Sequence, residues 1–213
     1  MTYTMTIAGV ERELPICKVT DDLYIGAFIC FGDAEVTVAA AAEMLKRLEG
    51  IEYDYLFTAE AKSIPLIHEM ARQSGAKKYF IARKGPKVYM PDPIHVEDQS
   101  ITTAGVQKLY LGRDDADLIR GKRILLMDDV ISTGGSIHAM EELIRLAGGT
   151  VTERGVYPGW QYKRDSQFRE TLLAAYKDLT GKDGVVEATH GGLECGLLME
   201  KLPGLDAVSL GPD

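Results

Sequence analysis

Apolar residues in this chain gather into short runs, and segments with a helical period separate one run from the next. Tyr53 to Thr58, Lys78 to Ala82 and Ile124 to Met127 read as strands, and the lack of strict polar alternation suits a parallel sheet covered on both faces. Ala34 to Leu48 reads as a helix with Val38, Ala42, Leu45 and Leu48 on one face and Gly50 as its stop. Ser63 to Gln73 reads as a second, ended by Gly75. A helix from about Ser136 to Leu146 and a strand from Thr150 to Tyr157 follow the third run. Near the start, Tyr3 to Ile7 and Leu23 to Phe31 form two β-like pieces joined by polar turns. Strands alternating with helices of this length predict an α/β protein with a mainly parallel sheet and helices on both faces.

Residues 89 to 108 break the alternation, with Pro91 and Pro93, several polar residues and no clear period. A segment of this kind is a functional lid or a solvent-exposed β-hairpin, and Leu109 to Leu111 is the strand returning from it.

The chemistry concentrates where the third run ends. Asp128 and Asp129 emerge at the carboxyl end of a strand, the edge at which open α/β sheets bind ligands. Ser132-Thr133-Gly134-Gly135-Ser136 follows at once, offering hydroxyls, closely spaced amides and a helix N-terminus suited to a phosphate. No lysine follows Gly134-Gly135, so a Walker-type loop fits less well, and a receiver domain would carry its acids near the start of the chain. The first run leads into Glu60-Ala61-Lys62-Ser63-Ile64-Pro65, a small-residue turn before a helix. The second delivers Arg83 and Lys84 to the same edge, with Lys87 close behind.

Composition narrows the partners. The 213 residues are 46% hydrophobic and 26% charged, as expected of a soluble globular protein. The net charge of −8 argues against nonspecific binding to nucleic acid or anionic membranes, so positive charge for an anionic ligand must be concentrated locally. Residues 76 to 87 do that, with five basic side chains. No long apolar run or signal-peptide pattern appears, which predicts a cytoplasmic protein. Cys17, Cys30 and Cys195 fit no zinc or disulfide spacing and read as buried thiols.

The sequence from Arg123 through Ile137 resembles the signature of the type I phosphoribosyltransferases, and the Glu-Ala-Lys-Ser-Ile-Pro wording is similar to the purine-using members. The resemblance covers residues 1 to 155. It implies the type I phosphoribosyltransferase fold with an N-terminal hood, and transfer of a 5-phosphoribosyl group from phosphoribosyl pyrophosphate to a purine, with adenine favoured over xanthine or hypoxanthine/guanine. By position, Asp128 and Asp129 take the ribose as catalytic residues, and Ser132, Thr133, Gly134, Gly135 and Ser136 take the 5-phosphate. Glu60, Ala61, Lys62, Ser63, Arg83, Lys84 and Lys87 take the pyrophosphate. Ser100, Thr102 and Thr103 reach it from the lid, and Phe28 or Phe31 in the hood stacks on the base. The implied cofactor is Mg²⁺, arriving with the substrate and meeting Asp128 or Asp129; the implied assembly is a homodimer. The alternative is a regulatory module that binds phosphoribosyl pyrophosphate without turning it over.

Residues 156 to 213 resemble something else. Tyr157-Pro-Gly-Trp-Gln-Tyr162, a helix carrying Phe168, Leu172, Leu173, Tyr176 and Leu179, and His190-Gly-Gly-Leu-Glu-Cys-Gly196 are similar to the end of the catalytic domain of zinc aminoacyl-histidine dipeptidases. This stretch is expected to be a small α/β appendage. His190 and Glu194 alone fall short of the three protein ligands a catalytic zinc needs, so a truncated dipeptidase without activity is the second alternative.

Overall fold

Neighbouring residues on one strand face opposite cores, and that alternation organises the computed structural model. The structure describes residues 1–19, 24–98, 107–131, 134–153, 158–160, 163–186 and 194–211. In chain order they form β1 (Thr2–Ile7), β2 (Val10–Lys18), β3 (Tyr24–Gly26), α1 (Ala34–Arg47), β4 (Tyr55–Ala59), α2 (Ile64–Ser74) and β5 (Tyr79–Ala82). Then come β6 (Ile94–Asp98), β7 (Gln107–Leu111), α3 (Arg113–Ile119), β8 (Ile124–Leu126), α4 (Gly135–Leu146), α5 (Gln167–Thr180) and α6 (Glu194–Lys201). They divide into two compact units, Met1–Thr152 and Glu153–Asp213.

The centre of the first unit is a parallel sheet in the order β5-β4-β8. On β4, Leu56 packs with Leu66, Ile67 and Met70 of α2 and with Ala41 of α1, while Phe57 packs on the other face with Phe80 and with Met140, Leu143 and Ile144 of α4. All of these side chains are buried. Each face thus has its own core, which is what a doubly covered parallel sheet requires. The β6–β7 hairpin is antiparallel and adjoins the edge at β5 through a bridge between Arg83 and Tyr110. Residues 89 to 108 therefore contain β6 and the first two residues of β7, and the expected lid residues Ser100, Thr102 and Thr103 lie outside the described residues.

Several expectations need correction. The N-terminal region is a three-stranded antiparallel sheet, β1-β2-β3, and β3 stops at Gly26 rather than running to Phe31. In α1 the buried residues are Val36, Thr37 and Ala41, whereas Val38 is exposed. The run of four alanines leaves the phase of the helix undecided from sequence, and Asp33, whose carboxylate accepts from the Val36 amide at 3.1 Å, sets where it begins. The strand expected after Thr150 reduces, among the described residues, to a single parallel bridge between Arg123 and Thr150.

The second unit shows two helices and no strand among its described residues, in place of the expected α/β pattern. Ser166 caps α5, accepting from the Arg169 amide at 3.0 Å and donating to the Asp206 carboxylate at 2.9 Å. No residue of α5 is buried, so its expected apolar face is left largely uncovered. Among the described residues no helix is long and apolar enough to cross a membrane.

Candidate active site

Three strand ends lie side by side. In the parallel register Ala59 pairs with Ala82 and Phe57 with Leu126, so the loops leaving β4, β5 and β8 start from one edge of the sheet. The end of β8 is clamped to β4: the Met127 amide donates to the Phe57 carbonyl at 3.0 Å, and the buried Thr58 hydroxyl donates to the Met127 carbonyl at 2.9 Å. The next two residues are the aspartates.

Ser63 joins them to the β4 loop. It occupies the N-cap position of α2, where a serine usually accepts from its own helix, yet its hydroxyl makes no capping bond. It lies instead 2.5 Å from Asp128 Oδ1 and 3.0 Å from Asp129 Oδ1, and accepts from the Asp129 amide at 3.0 Å. One hydroxyl proton serves two carboxylates. The Asp129 amide also donates to Asp128 Oδ1 at 3.0 Å. Burial pushes the Asp128 carboxyl above its ordinary range, the Ser63 hydroxyl and the Asp129 amide oppose that shift, and the neighbouring charge of Asp129 adds to it. The other oxygen of Asp129, Oδ2, is buried without a hydrogen-bond partner. A buried orphan of this kind costs about 1–3 kcal/mol or more.

The β4 and β5 loops are tied by Glu60. Its amide donates to the Ala82 carbonyl at 2.9 Å, and its Oε1 accepts from the Lys84 amide at 2.7 Å. Its Oε2 is 3.0 Å from Arg83 Nε, although that buried N–H makes no aligned hydrogen bond. Arg83 is fixed by two main-chain bonds of 2.8 Å with Tyr110. Ala61, Lys62 and Lys84 are exposed and Lys87 is half-buried, so three lysines border this edge with freedom to reach an anion.

On the β8 side, Gly134 caps α4 in the left-handed region, at φ 81°, with Gly135 half-buried and Ser136 exposed in the first turn. Ser132 and Thr133 lie outside the described residues. The structure thus brings together Ser63, Asp128 and Asp129 in one cluster, and Glu60, Arg83 and Lys84 in another.

No protein-family profile matches the chain. It is 42% identical over 150 residues to the adenine phosphoribosyltransferase of Mycobacterium avium, a match covering 70% of this chain and 79% of that protein. The chain belongs to the adenine phosphoribosyltransferase family. To the adenine phosphoribosyltransferase of Corynebacterium jeikeium it is 40% identical over 114 residues, 54% of this chain and 53% of that one. It is also 36% identical over 76 residues to the cytosol non-specific dipeptidase of Escherichia coli, covering 36% of this chain but 16% of the dipeptidase. The chain therefore spans about half of one of these phosphoribosyltransferases and a small part of the dipeptidase. Among solved structures, the adenine phosphoribosyltransferase of Thermoanaerobacter pseudethanolicus superposes with a TM-score of 0.53 at 22% identity, covering 65% of this chain and 78% of that one. That of Saccharomyces cerevisiae, solved with an imino-altritol bisphosphate and adenine, gives 0.51 at 17% identity, covering 65% and 79%. Both carry the type I phosphoribosyltransferase α/β fold seen here.

Around the acid pair the structure separates the two aromatics expected in the hood. Phe28 packs against the core shared with α1 and α2, whereas Phe31 is 58% exposed. Between them Cys30 is buried, and its thiol donates to the Lys62 carbonyl at 3.6 Å. Burial, aided by the nearby charge of Asp129, pushes that thiol up to about 11. Val130 and Ile131, which sequence reasoning passed over, are 50% and 65% exposed directly after the acid pair. The signal was available, since two β-branched residues stand between charged groups and a glycine turn, where a core strand has already ended.

Proposed function

We propose that the first unit transfers the 5-phosphoribosyl group of phosphoribosyl pyrophosphate to adenine, giving adenosine 5-monophosphate and diphosphate. The observation that carries this reading is the cluster at the strand ends, in which a buried hydroxyl holds two adjacent carboxylates while one carboxylate oxygen is left without a partner. A nitrogen of the base attacks C1 of the ribose as the bond from C1 to the diphosphate oxygen breaks, and the proton carried by that nitrogen passes to water. Positive charge grows on the sugar ring, and Asp128 and Asp129 offer negative charge beside it that needs no reorganisation. Gly134, Gly135 and the amides opening α4 suit the 5-phosphate, together with Ser132, Thr133 and Ser136. Lys62, Arg83, Lys84 and Lys87 supply positive charge for the leaving diphosphate. Phe31, exposed and aromatic, suits stacking on the purine, with Val130 and Ile131 as apolar surface for its other face.

The donor set also suits Mg²⁺. Asp129 Oδ2 is an unpartnered hard oxygen, and no group of three or more potential metal-ligating side chains occurs among the described residues. That combination fits a cation held by one or two carboxylates with substrate phosphates and water completing its shell, rather than a site built by the protein alone. When bound, the ion supplies charge neutralisation for the diphosphate. Ser100, Thr102 and Thr103, in the connection between β6 and β7, are the proposed lid that keeps water from the activated sugar. The residues after about 155 are proposed to be the dipeptidase-like segment, without metallopeptidase activity. A cytoplasmic homodimer completes the reading.

The test is direct. The protein is incubated with phosphoribosyl pyrophosphate, Mg²⁺ and, separately, adenine, xanthine, hypoxanthine and guanine, and diphosphate release and nucleotide formation are followed. Release with adenine above the other three is expected. Binding of phosphoribosyl pyrophosphate without release from any purine would replace the enzyme with a sensor, and zinc-dependent cleavage of dipeptides would replace it with a peptidase.

A further inference from the structure

Arg83 faces a carboxylate before any anion arrives. Glu60 Oε2 is 3.0 Å from Arg83 Nε, and the two side chains are 28% (Arg83) and 16% (Glu60) exposed. The N–H at Nε is buried and aimed at no acceptor. Both residues are held by their main chains, Glu60 to Ala82 and Arg83 to Tyr110, so only the side chains are free to rearrange. An ion pair satisfied in distance but not in direction is an incomplete one. A carboxylate inside a loop that takes a diphosphate would also repel its ligand, which makes Glu60 a poor direct contact.

We infer that Glu60 is the resident counter-ion of Arg83, which the guanidinium exchanges for the diphosphate group during turnover. This deepens the transferase reading and rests on it. The arginine fork matches phosphate oxygens better than it matches Glu60 in its present alignment, so the exchange is favourable, but only by the difference between the two partners. Affinity for the diphosphate is thereby moderated, and its release is assisted by a carboxylate waiting to take the cation back. The Lys84 amide, bonded to Glu60 Oε1 at 2.7 Å, keeps that carboxylate in place while Arg83 is away. Glu60 is on this account a positioning residue.

Calorimetry of magnesium diphosphate binding to the full chain tests it, with the wild type, Glu60→Gln, Arg83→Ala and the double variant. Glu60→Gln keeps an acceptor for the Lys84 amide and removes the competing charge. It is expected to tighten binding about tenfold, which is about 1.4 kcal/mol, and to lower kcat and the KM for phosphoribosyl pyrophosphate together. In the Arg83→Ala background the same change is expected to alter binding less than twofold, the non-additivity of two residues acting on one another. Glu60→Asp, which keeps the charge but shortens its reach, is expected to fall between wild type and Glu60→Gln. Weaker or unchanged binding in both Glu60 variants overturns the inference. Equal tightening with and without Arg83 also overturns it, because that result is plain repulsion without exchange. A wild-type protein that binds no diphosphate at all fails the transferase reading itself, which separates the two failures.

Discussion

Removing one hydroxyl tests the central cluster most sharply. Ser63→Ala takes away a donor shared by Asp128 and Asp129 and an acceptor for the Asp129 amide, at a position only 1% exposed. The amide keeps Asp128 Oδ1 at 3.0 Å, so the uncompensated loss is the donor to the carboxylates. Hydrogen bonds to charged groups contribute about 1.5–3 kcal/mol. Both aspartates are half-buried, so solvent screens part of that, and about 1–2 kcal/mol is the working figure. For a domain of this size that lowers Tm by about 2–8 °C. Activity should suffer more than stability, because two carboxylates freed from a common donor repel each other away from the sugar, and small misplacements of reacting groups cost about 100-fold. Thermal melts and steady-state kinetics with phosphoribosyl pyrophosphate and adenine measure both. A variant that melts within a degree of wild type and keeps its kcat/KM would refute the claim that Ser63 organises the acid pair.

Other expectations follow from the same geometry. The Asp128 carboxyl is raised in the fold, so its protonated form is the one folding favours: its contribution is fully present below the ordinary carboxylate range and is lost as pH rises through the raised value. Asp128→Asn should therefore raise Tm at pH 7 to 8 and leave it unchanged near pH 3, as scanning calorimetry at both pH values would show. Asp128→Asn combined with Asp129→Asn should abolish turnover with the circular dichroism spectrum intact. With its thiol pushed up to about 11, Cys30 should stay unmodified by iodoacetamide at pH 7.5 while exposed Cys17 reacts, which peptide mass spectrometry resolves. Gly134→Ala places a side chain at φ 81°, costing about 1–2 kcal/mol, and should raise the KM for phosphoribosyl pyrophosphate.

The residues that were legible in the sequence are those whose neighbours along the chain explain them. Ile124 to Leu126 are apolar without alternation and end in two acids, and Gly75 marks the end of α2 in the left-handed region, as a helix stop should. What stayed hidden depends on partners far away in sequence. β2 escaped notice because Arg12 sits among its inward residues, a placement made tolerable by Asp33, 2.7 Å from it, and by Glu35. α3 has too few apolar positions in Arg113–Ile119 to announce a period. Ser63 reads locally as a helix cap, and nothing in its surroundings discloses an attachment to residues 65 and 66 positions later. Glu60 likewise reads as one more loop acid until its bond to the Lys84 amide is seen.

The clamp between β4 and β8 has an evolutionary reading. The acids, their shared hydroxyl, the basic edge and the glycine turn all belong to the stretch from β4 to α4, and hydrogen bonds inside that stretch fix their geometry. A genetic splice downstream of α4 would leave every one of those bonds intact. Sequence of foreign descent can be grafted there and inherited as cargo, with selection acting on it only afterwards.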